Sequence, residues 1–213
     1  MIPLATHLRL NHCGNFSLTD AIRPNAESRL SLREGYRIER FRDSVTRSRI
    51  PMLAASVSAE HLFDVFLDLL QPLGESVHVV LETSHDSLDD RHEDLRRSEI
   101  DLPVLASNLC DHEELLLNDG CTGVAVIAGN RPVEVQMDEH KLLYVYAYDL
   151  KPFRRILRSY GIKRIDGMRL IAESDHLHHT TCQFAEEFGQ LCHRIGAGDF
   201  DSVLNDDNGW LGA

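Results

Sequence analysis

The chain is short of aromatic side chains: one tryptophan in 213 residues, and 7% aromatic residues in all. Its five cysteines (Cys13, Cys110, Cys121, Cys182, Cys192) form no CxxC pair and are odd in number, which argues against a disulfide framework. They read as reduced, mostly buried thiols of a cytoplasmic protein. Long apolar runs are missing too. The longest aliphatic run, Val124 to Ala128, is far shorter than the ~20 residues a membrane helix needs. Positive charge is scarce, with 22 Lys+Arg against 34 Asp+Glu and a net charge of −12. Phosphate contact needs surplus Lys and Arg, so nucleic acid is a poor partner for such a chain. The opening MIPLATHLRL lacks the charged-then-apolar layout of a secretory signal. No GxxxxGK[ST] loop, GxSxG elbow or HExxH pair occurs. Gly196-Ala-Gly198 has Asp at 201 and follows a helical pattern, which disfavours a dinucleotide loop.

What is present is 43% hydrophobic and 26% charged residues, enough to bury one sizeable core. Charge is unevenly spread. Residues 1–50 hold nine Arg against five acids, a surplus of four, so the rest of the chain carries −16. With no clean period and breaks at Gly14 and Pro24, residues 1–50 read as a basic irregular arm. Residues 51–196 read as one α+β domain. Residues 197–213 read as an acidic, Gly- and Asp-rich tail.

Within 51–196 the patterns alternate. Met52–Val57 is β-compatible. Leu62, Phe63, Phe66, Leu69 and Leu70 recur at helical spacing behind Ser58 and stop at Pro72 and Gly74. Val77–Leu81 is a strand, and the charge-dense Thr83–Glu99 reads as a solvated loop or exposed helix. A helix from Asp101 carries Leu102, Leu105, Leu109, His112 and Leu116 on one face, with His112 a hydrogen-bonded core histidine. Cys121–Ala128, Val133–Asp138 and Leu142–Tyr148 form an antiparallel meander. A helix with Phe153, Ile156, Leu157 and Tyr160 follows, then a strand at Met168–Ala172. The last helix begins at Ser174 or Asp175 and runs past Phe184, Phe188, Leu191 and Ile195. The fold class is therefore α+β: a mixed, largely antiparallel sheet covered by helices. Residues 52–86 also align with 142–176, strand on strand and helix on helix. That admits a split βαβ pair, as in ferredoxin-like folds, with a helix and strands inserted.

Two constellations could carry chemistry. Glu173–Cys182 places His176, His178, His179 and Cys182 at the expected start of the last helix. There His178 and Cys182, four apart, would share a face and could ligate a divalent metal such as zinc. Such a site needs further donors, for which His85, His140 and Asp175 are the candidates. The second is Asp119 followed by Glu134-Val-Gln136. This resembles the metal motif of restriction-endonuclease-like nucleases, which would imply Mg²⁺-dependent cleavage, although Gln136 stands where that motif has lysine.

Without a specific catalytic motif, the chain reads first as a binding or interaction module. Phe200, Val203, Leu204, Trp210 and Leu211, spaced among acids in the tail, are anchors for a protein partner, and the opposite charges of arm and body favour self-association. The metal-dependent hydrolase at the histidine-rich stretch is the alternative, and the nuclease a third reading.

Overall fold

The computed structural model describes residues 11–25, 30–42, 49–85 and 93–199. The chain is α+β, with a large antiparallel sheet covered by helices. In chain order the strands are β1 (His12–Cys13), β2 (Phe16–Ser17), β3 (Ile22–Pro24), β4 (Gly35–Arg42), β5 (Arg49–Ser56), β6 (Ser76–Thr83), β7 (Glu93–Asp101), β8 (Thr122–Ala128), β9 (Glu134–Met137), β10 (Leu143–Tyr146), β11 (His176–His178) and β12 (Gly198–Asp199). The helices are α1 (Ala59–Leu70), α2 (Leu102–Asp111), α3 (Glu113–Asn118), α4 (Lys151–Ser159) and α5 (Cys182–Ile195). The main sheet runs β12-β7-β6-β8-β9-β10-β5-β4, and β11 pairs with β3 beside it. Among the described residues no helix is long and apolar enough to cross a membrane.

Alternation sets the two faces of the sheet. Leu53 and Ala55 of β5, Val77, Val79 and Leu81 of β6, and Val124 and Val126 of β8 pack against the helices, with Phe66 of α1, Leu105 and Leu109 of α2, Phe153 of α4 and Leu191 of α5. A second, smaller core covers part of the other face. There Ala54 meets Phe16, Ile22, Leu32, Leu142, Met168, Leu170 and Ile171. The helical spacing of Leu62, Phe66 and Leu69 puts all three inward, each at most 1% exposed. Burial of a side chain of this size is worth roughly 1.5–3 kcal/mol.

The meander β8-β9-β10 is present, and its strands lie between β5 and β6 rather than beside them. The two strands joined by α1 are thus parallel to each other but separated by three others. The second strand–helix–strand unit is not completed. Met168–Leu170 forms no strand, and residues 171–173 make a 3-10 turn. Leu170 and Ile171 are nonetheless buried, in the smaller core and not in the main sheet.

Three further expectations change. Residues 93–101, which overlap the end of the charge-dense stretch, form strand β7. Pairing with β6 outweighs composition there: Leu95 lies opposite Leu81 and Ile100 opposite Val77. A register shift between Val77 and Val79 lets Glu99 take a positive φ of 51°. The helix from Asp101 breaks at His112 into α2 and α3, and His112 is buried with its Nδ1 2.8 Å from the Asn108 carbonyl oxygen. Within residues 1–50, Gly35–Arg42 is a regular strand of the main sheet, paired along its length with β5. The tail anchors Phe200, Val203, Leu204, Trp210 and Leu211 lie outside the described residues.

Candidate metal centre

The ends of β6 and β9 and the starts of β8 and β10 meet at one end of the sheet, since Thr83 pairs with Thr122 and Met137 with both Val124 and Leu143. The short links there place His85 after β6, Asp119-Gly120-Cys121 before β8, and His140-Lys141 between β9 and β10. Strand β11 closes over this end. His178 lies opposite Ile22 of β3, the His179 N–H donates to the Ala21 carbonyl (2.8 Å), and the Gly120 N–H donates to the His179 carbonyl (2.7 Å). A Cβ on Gly120 would collide with the Ala21 oxygen and sit 2.9 Å from the His179 nitrogen. Only glycine lets these three backbone segments approach so closely.

Residues 176–178 are extended, not helical. Thr181 is the residue that begins the last helix, its Oγ1 accepting from the Phe184 N–H at 3.2 Å. On a strand the side chains at i and i+2 share a face, so His176 and His178 project together while Leu177 points away. His140 joins them from the β9–β10 turn, and one ligand nitrogen from each of the three rings lies within 4.8 Å of the others. Ring centroids are 4.7, 4.9 and 5.0 Å apart.

Each ring is oriented from behind. His176 Nδ1 lies 2.6 Å from the Ser174 carbonyl oxygen, His178 Nδ1 2.5 Å from the Gly120 carbonyl oxygen, and His140 Nδ1 2.9 Å from Asp138 Oδ2. Carbonyl oxygens only accept, so the first two contacts fix the Nδ1–H tautomer. The Nε2 atoms of His176 and His178 then face each other at 3.1 Å. Burial lowers the His176 pKa, and the two neighbouring imidazoles act in the same direction. Burial would lower His140 as well, but the Asp138 carboxylate outweighs it and raises the pKa.

A second cluster lies on the other side of Gly120. His85, Asp119 and Cys121 each bring one ligand atom within 4.8 Å of the others. The side chains of His85 and Asp119 are 8% and 0% exposed, with His85 Nε2 3.0 Å from Asp119 Oδ2. Phe188 of α5 packs on the His85 ring at a centroid distance of 5.7 Å. His85 Nδ1 is 2.7 Å from Thr83 Oγ1, and the Thr122 hydroxyl donates to Asp119 Oδ2 at 2.5 Å. Burial pushes the Asp119 carboxyl up, but His85 and Thr122 outweigh it and hold the group below the usual carboxylate range. Burial raises the Cys121 thiol, and the Asp119 charge raises it further. Buried Lys141 braces the floor, donating from Nζ to the Thr122 carbonyl at 2.8 Å. Burial pushes it down to about 8 against the pull of Asp119, Asp138 and Glu139.

Of the ligand set expected from sequence, His176 and His178 come together, and the earlier secondary candidate His140 completes the trio. His179 and Cys182 belong to neither cluster. His179 follows the strand and is engaged through its backbone, and Cys182 is exposed at the start of α5. The nuclease trio does not converge. Glu134 is opposite Ile127, five residues up β8 from Thr122, a span of roughly 17 Å at about 3.4 Å per residue. Gln136 instead donates from Nε2 to both Glu82 oxygens at 3.1 Å. No family model, curated protein or solved structure matches the chain.

Proposed function

We propose that the chain is a metal-dependent hydrolase whose centre is His140, His176 and His178. The observation that carries this reading is the pair of Nε2 atoms facing each other at 3.1 Å, each with its Nδ1 engaged on a carbonyl oxygen. Two neutral imidazoles so placed repel unless a cation lies between the nitrogens, a proton in an N–H···N hydrogen bond or a metal ion held by both. A zinc ion at about 2.0–2.1 Å from each nitrogen would set neighbouring ligands roughly 3.3 Å apart. Histidines that ligate metal also commonly present the other ring nitrogen to a carbonyl or carboxylate, as all three do here.

Three protein ligands leave a fourth tetrahedral position for water or substrate, the arrangement of catalytic rather than structural zinc. His178 is exposed and His176 and His140 half-buried, so a substrate can reach that position. The interaction-module reading rests on the lack of a specific catalytic motif, on the opposite charges of arm and body, and on tail anchors that lie outside the described residues.

The test is metal analysis of the purified full chain after dialysis against metal-free buffer. Zinc should remain bound, and the double variant His176→Ala, His178→Ala should lose one equivalent. Hydrolysis of a panel of chromogenic carboxylate and phosphate esters should fall to background in that variant and in the chelated protein, and return on adding zinc to the latter only. A parent chain that holds no zinc at micromolar free metal would falsify the reading.

A further inference from the structure

The cluster behind Gly120 also holds polar atoms whose hydrogen bonding is incomplete. Asp119 is wholly buried, and its Oδ1 has no hydrogen bond. His85 Nε2 is buried as well and makes no hydrogen bond with acceptable geometry, although Asp119 Oδ2 is only 3.0 Å away. The ring edge therefore approaches the carboxylate without aiming an N–H at it. A buried polar atom left in this state is costly, more so when charged, so two in adjoining side chains call for an explanation. The edge of a coordination shell supplies one. Ligand atoms about 2.0–2.2 Å from a common tetrahedral ion lie roughly 3.3–3.6 Å apart and need no hydrogen between them, so a small outward shift of the 3.0 Å pair would seat an ion. The third donor, Cys121 Sγ, lies within 4.8 Å of both.

The surroundings fit the same account. Thr83 Oγ1 engages His85 Nδ1 and leaves Nε2 as the ligand nitrogen. Thr122 orients Asp119 through Oδ2, and Phe188 fixes the plane of the imidazole. These are the outer contacts that orient metal ligands.

We propose that His85, Asp119 and Cys121 form a second metal site, separate from the three-histidine centre and independent of it. The donor set selects the class of ion. A thiolate with an imidazole and one carboxylate favours zinc and other thiophilic d-block cations over Mg²⁺ or Ca²⁺, which prefer oxygen. Binding transfers the thiol proton to solvent as the sulfur–metal bond forms, and no oxidant or reductant is required.

Cobalt(II) is the probe, titrated into the full chain after chelation. The parent should bind two equivalents and show a near-ultraviolet sulfur-to-cobalt charge-transfer band. Cys121→Ser should lose that band and one equivalent, keeping the visible bands of the three-histidine centre. His176→Ala with His178→Ala should lose the other equivalent and keep the charge-transfer band. The two proposals thus fail separately. A parent without the sulfur band, or a band that persists in Cys121→Ser, overturns the second site. A check that needs no variant is alkylation followed by peptide mapping. Zinc should shield Cys121 at least tenfold while leaving the exposed Cys13 and Cys110 unprotected. Equal labelling of Cys121 with and without zinc overturns the assignment.

Discussion

The clusters on either side of Gly120 bring metal-ligating atoms together in different ways. In front, three identical donors sit near the surface, each turned by an oxygen behind it: Ser174, Gly120 or Asp138. Behind, three different donors sit in the links at the end of the sheet, with Asp119 Oδ1 and His85 Nε2 lacking an aligned hydrogen bond. The front cluster takes its geometry from backbone carbonyls and one carboxylate, so its histidines converge without being buried. The rear cluster takes its geometry from packing, because Phe188, Thr83 and Thr122 confine donors that would otherwise be solvated. An exposed centre with one open position suits turnover. An enclosed one with a thiolate suits retention of its ion.

Gly120 offers the hardest blow to this contrast, since its backbone touches both halves. Gly120→Val would drive a side chain into the Ala21 and His179 backbone. It should destabilise the metal-free fold by roughly 1–3 kcal/mol and abolish high-affinity zinc at both sites. Calorimetry alongside metal analysis checks it, and retention of either ion at parental affinity would mean the halves do not depend on this approach.

The outer contacts give a smaller, more selective effect. Asp138→Asn should weaken zinc at the three-histidine centre, and Thr122→Val at the buried site, each by about 10–100-fold. Competition against a chromophoric chelator reads both. If each variant weakened the two sites alike, the clusters would be one centre rather than two.

The smallest effect is at the start of α1, at a group that belongs to neither cluster. The hydroxyls of Ser17 and Ser58 hold Glu60 down at about 2. A depressed carboxylate pKa means stabilisation that is complete above its ordinary value near 4.5 and is lost as pH falls through about 2. The metal-free chain should therefore lose melting temperature over that window, and Glu60→Gln should flatten the loss. An identical acid profile in both would remove Glu60 as the cause.

The contrast between the clusters also marks how far the residue pattern could lead. Helix α1 was legible because Leu62, Phe66 and Leu69 repeat at 3.6, and the meander because Val124, Val126, Val135 and Val145 alternate between clear turns. Strand β7 was not, since Glu93–Asp101 is held by pairing with β6 and only Leu95 and Ile100 signal a buried side. His176 and His178 stood out by composition, but the helical reading set His178 beside Cys182, which is exposed at the start of α5 and outside the cluster. Their real relation is the two-residue period of a strand, and three residues are too few for that period to declare itself. His140 carried a faint signal, lying in a turn of the meander that ends at the same edge. Of the rear trio, His85 and Asp119 were each singled out as possible metal ligands, but for other sites, because His85 reaches Asp119 and Cys121 only through the Thr83–Thr122 register, a pairing that local spacing does not encode.

The position of the meander between β5 and β6 has a further consequence, for synthesis. As the nascent chain leaves the ribosome, β4 can fold back on β5 and β6 on β7 through short loops. Neither hairpin can reach the other until β8, β9 and β10 have been made and slotted between them. Loop closure over such separations is slow, and both half-sheets carry raw hydrogen-bonding borders meanwhile. The same wedge brings Asp119, Cys121 and His140, so neither cluster holds its three donors until that wedge has been made.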